Sequence, residues 1–109
     1  MEYIKALELK DLPIGQKKIV TLQGKAILLV NDNGTVYAIN NKCPHMGGSL
    51  GDGELRGTMI TCPRHGSSYE IVTGKNVGAA KIGIIKVNVK DAQTYPVKIE
   101  GNDILVGFA

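Results

Sequence analysis

The chain of 109 residues has no tryptophan, one phenylalanine and four tyrosines, too few aromatic faces to stack a run of bases. Thirteen basic residues against ten acidic ones leave a net charge of +3, and the basic residues are scattered rather than gathered into a stripe. Nucleic-acid binding is therefore not expected. No segment approaches the roughly 18 apolar residues of a membrane span, and the start, "MEYIKALELK", lacks an apolar core of signal-peptide length. The expectation is a cytoplasmic chain that does not insert into a membrane. Helical periodicity is missing as well.

Several sites fail for want of one residue type. "TGKN" has no glycine at the right distance upstream and no Ser or Thr after Lys75, so it is not a phosphate-binding loop. "NDNG" has too few carboxylates for a calcium loop and reads as a turn. Asp52 and Glu54 lie in a polar, glycine-rich stretch with nothing apolar to tune a pKa, and read as solvated charges. No catalytic residue and no small-molecule substrate are expected.

Cysteine and histidine are scarce too, with two of each: Cys43, Cys62, His45 and His65. A lone disulfide is disfavoured in a chain without a secretory signal. All four residues sit in two short stretches, "NKCPHMGG" and "TCPRHGSS".

What the chain does have is short β signals. "KIVTL" and "AILLV" flank "QGK", and "AILLV" and "TVYAI" flank "NDNG", a strong turn signal. Ile85, Val87 and Val89 alternate with Lys86, Asn88 and Lys90, the period of a half-buried strand. "YPVKIEGNDILVGF" reads as a hairpin closed at Gly101 and Asn102, with Pro96 confined to a strand start or an edge. The class is all-β, a sandwich or barrel. Between about residues 40 and 80 the character changes, with eight of the fourteen glycines and two of the four prolines. A long irregular stretch inside a compact domain is usually functional, and both Cys–His pairs fall within it.

The pattern is Cys43-x-His45, sixteen residues, then Cys62-x-x-His65. Thiolate and imidazole suit zinc, copper and iron–sulfur centres alike. By spacing alone a tetrahedral Cys₂His₂ zinc module and an iron–sulfur site stand nearly even. The neighbours favour the second: Gly47, Gly48 and Gly66 let backbone N–H groups approach an inorganic centre whose sulfides need donors. A zinc ion brings no sulfide to satisfy.

"CPHMGGSL" and "CPRHGSSYE" resemble the two cluster-binding boxes of Rieske [2Fe–2S] proteins, and Thr73-Gly74 follows at the matching place. "DLPIGQ", "TVYAINNKCPH" and the final hairpin extend the likeness to soluble Rieske-type ferredoxins over essentially the whole chain. The resemblance implies a single Rieske domain over 1–109. Its cluster-binding subdomain, at 40–80, is inserted in an antiparallel β base formed by 1–39 and 81–109. One [2Fe–2S] cluster per chain is implied, Cys43 and Cys62 on one iron and His45 and His65 on the other, with Gly47, Gly66, Ser67 and Tyr69 around them. Two thiolates leave such an oxidised site neutral, so it accepts an electron more readily than a four-cysteine site. The class spans about −150 to +300 mV.

The implied function is one-electron transfer between protein partners, a reductase and an oxygenase or similar acceptor; the chain is not expected to be an enzyme by itself. The alternatives are a small Rieske subunit within a nitrite-reductase-like oxidoreductase and a zinc-stabilised structural module. The histidine edge, flanked by Lys42 and Arg64, is the expected docking surface. Gly48 and Arg64 stand where respiratory Rieske proteins carry a disulfide, so that bridge is absent. Ser67 and Tyr69 match donors that in those relatives reach a bridging sulfide and a cysteine ligand, implying a potential above that of low-potential Rieske ferredoxins. The counterpart of the relatives' proline-rich covering loop, "VGAAKIG" at 77–83, has no proline. Met46 and Leu50 are candidates to shield the cluster.

Overall fold

The computed structural model describes every residue except His45, Met46, His65, Ala79, Gly83, Ile84, Asn88 and Val89. In chain order the strands are β1 (Glu2–Glu8), β2 (Lys17–Leu22), β3 (Lys25–Asp32), β4 (Thr35–Asn40), β5 (Glu54–Arg56), β6 (Met59–Thr61) and β7 (Ser68–Glu70). They continue with β8 (Asn76–Gly78), β9 (Ala80–Ile82), β10 (Ile85–Val87), β11 (Thr94–Tyr95), β12 (Val97–Glu100) and β13 (Asp103–Phe108). Among the described residues the helical content is two 3₁₀ turns, Leu9–Asp11 and Leu50–Asp52. The protein is all-β, as the patterning predicts.

The middle of the fold is a meander whose turns are dictated locally. Gln23-Gly24 and Asn33-Gly34 each place both residues at positive φ (51° and 74°, 53° and 98°), the hairpin geometry whose twist matches that of the flanking strands. These turns set the register of β2 on β3 (Val20 opposite Ile27) and of β3 on β4 (Leu28 opposite Ile39). β11 adds to the free side of β4, giving the order β11-β4-β3-β2. The two chain ends form a second sheet, β1-β13-β12, and a third, β5-β6-β7-β8, is built from strands of three residues. β9 and β10 pair with each other.

"AILLV" explains how these layers stack. A strand with one wet face alternates apolar and polar residues; a continuous apolar run signals burial on both faces. Ile27 and Leu29 pack with Ile104, Val106 and Phe108 of the terminal sheet. Leu28 and Val30 point the other way, into a core shared with Ile60, Tyr69 and both cysteines. The central sheet is thus covered by the chain ends on one side and by the Cys–His region on the other. Pro96 lies just ahead of edge strand β12, where its missing N–H costs nothing, and its carbonyl accepts from the Gly107 N–H at 2.9 Å.

Residues 40–80 are more regular than their glycine content suggests, since β5–β8 lie within them. Runs of three residues are too short to show an alternation. In the 77–83 segment, 76–78 and 80–82 are strand; Ala79 and Gly83 lie outside the described residues, as does Val89 of the predicted alternating strand.

Two-faced burial of β3 has a direct test. Leu28→Ala and Leu29→Ala, each at a fully buried position, are expected to cost about 2–5 kcal/mol apiece in urea unfolding. Ile14→Ala, at a site 66% exposed, is expected to stay within about 0.5 kcal/mol.

Candidate metal centre

Each Cys–His stretch forms a loop held by the same pair of backbone hydrogen bonds. In the first, the Gly47 N–H donates to the Cys43 carbonyl (3.1 Å) and the Cys43 N–H donates to the Gly48 carbonyl (2.7 Å). In the second, the Gly66 N–H donates to the Cys62 carbonyl (3.1 Å) and the Cys62 N–H to the Ser67 carbonyl (2.7 Å). Both loops are therefore one six-residue frame with cysteine first, proline second and a glycine fifth. That glycine sits at φ 68° in one loop and 75° in the other, a conformation that any side chain would strain. His45 is third in its frame and His65 fourth in its own; both lie outside the described residues.

The frames are anchored to the strands around them. Asn41, buried at the exit of β4, donates from Nδ2 to Ser49 Oγ (2.9 Å), while its Oδ1 accepts from the Gly51 N–H (2.7 Å). Its backbone N–H donates to the Ala26 carbonyl and its own carbonyl accepts from the Leu50 N–H. One side chain thus clamps both ends of the first loop. The second loop is a β-turn extension of β6 and β7, pinned across the strands by the Thr61–Ser68 hydroxyl pair at 2.9 Å. Gly74 closes the β7–β8 turn so tightly against the chain that a Cβ there would fall 2.1 Å from the Ala92 carbonyl oxygen.

Burial gives the loops a direction. Cys43 and Cys62 are 1% and 2% exposed and belong to the core with Leu28, Leu50 and Ile60. Pro44, Gly47, Pro63, Arg64 and Gly66, their neighbours in the loops, are exposed. Two thiols are thus held beneath solvent-facing loop residues, and neither cysteine is in a disulfide. The loops meet at Gly48, where a Cβ would lie 2.9 Å from Cys62 Sγ and 3.1 Å from Arg64 Cγ. The stem of Arg64 therefore packs on the bare backbone of Gly48. These are the two positions matched by resemblance to the respiratory disulfide, and here packing joins them. Leu50 is fully buried in the same core, whereas Met46 lies outside the described residues.

Tyr69 on β7 is fully buried, with its hydroxyl 3.5 Å from Cys43 Sγ. Burial, with Cys43 adding to it, holds the phenol well above its ordinary pKa; Ser67 and Asn76 act in the opposite direction. At neutral pH the phenol keeps its proton and can donate to the sulfur it faces. Ser67 is fully buried and its Oγ has no hydrogen-bond partner in the structure. Its side chain also lowers the Tyr69 pKa as a hydrogen-bond donor would; an unsatisfied buried hydroxyl costs about 1–3 kcal/mol, so an added acceptor here would be favourable.

These features fit a [2Fe–2S] group: buried thiols, a cradle with no room for a Cβ, and an orphan donor that inorganic sulfide would satisfy. A single zinc ion offers Ser67 no acceptor. Sequence reasoning missed Asn41 and Asn76, because isolated asparagines are common in turns and neither belongs to a ligand motif. Gly48→Ala is expected to force the loops apart, lowering iron bound per chain and costing about 1–3 kcal/mol in unfolding. Full iron content with unchanged stability would show that the contact is not required.

Over residues 2–87 the chain matches the family model of the Rieske [2Fe-2S] domain. The ferredoxin component of a naphthalene 1,2-dioxygenase system from Pseudomonas aeruginosa is 35% identical over 108 residues, covering 99% of this chain and 97% of that protein. Among solved structures, the ferredoxin of carbazole 1,9a-dioxygenase from Nocardioides aromaticivorans IC177 superposes with a TM-score of 0.82 at 26% identity, covering 97% of both chains. The Sphingomonas yanoikuyae B1 ferredoxin gives 0.78 at 29% identity, covering 99% of this chain and 100% of that one. Two matched loops over a shared core, and a likeness that runs from end to end, place this chain in the Rieske [2Fe-2S] domain family as a Rieske-type ferredoxin, the carrier of one [2Fe–2S] cluster.

Proposed function

We propose that the chain is a one-electron carrier between a reductase and an oxygenase, with Cys43, His45, Cys62 and His65 as the ligands of its cluster. The carrying observation is the pair of equal loop frames, which bury both cysteines under exposed tips. When bound, the cluster takes up and gives back a single electron. Similarity over nearly the full length of a protein named as the ferredoxin component of a dioxygenase system supports the choice of partners. It also favours a separate carrier over a permanent subunit. Residues 40–80 serve as the cluster-binding subdomain of a base made by 1–39 and 81–109. A cytoplasmic location accords with two cysteines that are not in a disulfide.

The residues divide the work by position. Cys43 and Cys62, as thiolates, anchor the inner side of the site, and the apolar core around them keeps water from the sulfurs. His45 and His65 would supply the other two ligands; the described loop residues next to them in sequence are exposed, and this edge is the proposed docking face. Lys42 and Arg64 are exposed beside it and favour an approaching acidic surface. With a cluster bound, Tyr69 would donate to Cys43 Sγ and Ser67 to a sulfide acceptor. Such donors would favour the reduced, more negative state.

Reduction with dithionite is expected to give a mixed-valence EPR signal of low average g value, with two irons per chain. A colourless protein holding one zinc would overturn the reading. Ser67→Ala and Tyr69→Phe are each expected to lower the midpoint potential by about 50–100 mV, as expected for losing one hydrogen bond to a charged acceptor. Unchanged midpoints in both would remove these residues from the account.

A further inference from the structure

Asn76 stands directly across from Tyr69 in the antiparallel pairing of β7 with β8, just past a register shift between Ser68 and Tyr69. Cross-strand partners present their side chains on the same face, and the Tyr69 ring occupies the buried one. The Asn76 backbone is tethered by its N–H donating to Asp91 Oδ1 at 2.9 Å. Its side-chain Nδ2 is buried and makes no hydrogen bond in the structure, a condition it shares, among the described side chains, with Ser67 Oγ. The Tyr69 hydroxyl lies 3.5 Å from Cys43 Sγ; giving its single proton to a thiolate there would leave its oxygen lone pairs able to accept. A buried donor without an acceptor thus stands opposite Tyr69 in the ladder.

We propose that Asn76 is a positioning residue for electron uptake: its amide donates to the Tyr69 oxygen, fixes the phenol with its proton toward Cys43 Sγ, and so raises the midpoint potential without touching the cluster. The inference rests on the reading of Cys43 as an iron ligand and Tyr69 as its donor. Hydrogen bonds in series polarise one another, so a donor behind the phenol strengthens what the phenol gives to sulfur.

The test is a redox titration of the cluster-loaded protein carrying Asn76→Ala, in the native background and in a Tyr69→Phe background. Visible spectra and urea unfolding are recorded alongside. The potential is expected to fall by part of the Tyr69→Phe shift in the native background and to move little in the Tyr69→Phe background. The sulfur-to-iron absorption moves with it, and Asn76→Gln restores part of the loss. Asn76→Leu, close to asparagine in shape but without the donor, gives the same comparison if the alanine variant loses its cluster. An unchanged potential, a raised one, or an equal fall in both backgrounds overturns the inference. If Tyr69→Phe alone leaves the potential unmoved, the underlying reading of Tyr69 fails first. A shift there with none from Asn76 sinks only this inference.

Discussion

Two cysteine sulfurs are held inside an apolar core beneath loop residues that face solvent, and most of the structure answers to that arrangement. A thiolate alone in such a core would be costly, and the loops around Cys43 and Cys62 hold both sulfurs in fixed surroundings. The two hydrogen bonds repeated in each loop leave the cysteine little freedom, and the glycine at the fifth position lets the chain turn back within six residues. Rigidity of this kind matters for electron transfer, because a site that changes shape on reduction spends energy on rearrangement at every cycle.

The β scaffold can be understood as support for that arrangement. β3 is buried on both faces, so the core beneath the cysteines and the core against the chain ends share one strand. Asn41 then links the end of β4 to the return of the first loop through its amide and its backbone. The second loop takes its support from the β6–β7 pair. Displacement of either loop is resisted by a sheet and not only by the loop's own contacts.

Polar groups within this apolar region are few, and each has an assignable direction. Tyr69 keeps its proton because burial disfavours its ionised form, so the phenol is able to donate beside the Cys43 sulfur. Ser67 and Asn76 are the two described side chains left with a buried polar atom unsatisfied. Native proteins rarely tolerate such atoms without a reason. Both flank Tyr69, so the unsatisfied groups gather at the site rather than scatter through the core.

The two Cys–His loops and the fold class were legible in the sequence because both are local. Two Cys–His pairs with proline and glycine beside them leave few readings, and Asn33-Gly34 specifies a hairpin by backbone sterics alone. "AILLV" already carried the signature of a strand buried on both faces. Other features depended on residues distant in the chain. β5 to β8 are too short to show a period and exist only because they pair with one another. Glycine at position 48 could have been any turn residue until Cys62 and Arg64 were seen to pack on it. Asn76 had no motif at all; its meaning comes from standing opposite Tyr69 in a ladder. Sequence determined the candidate ligands, through residue type and local turn chemistry; tertiary structure decided which neutral groups lie beside the cysteine sulfurs, because cross-strand pairing is not written in any one segment.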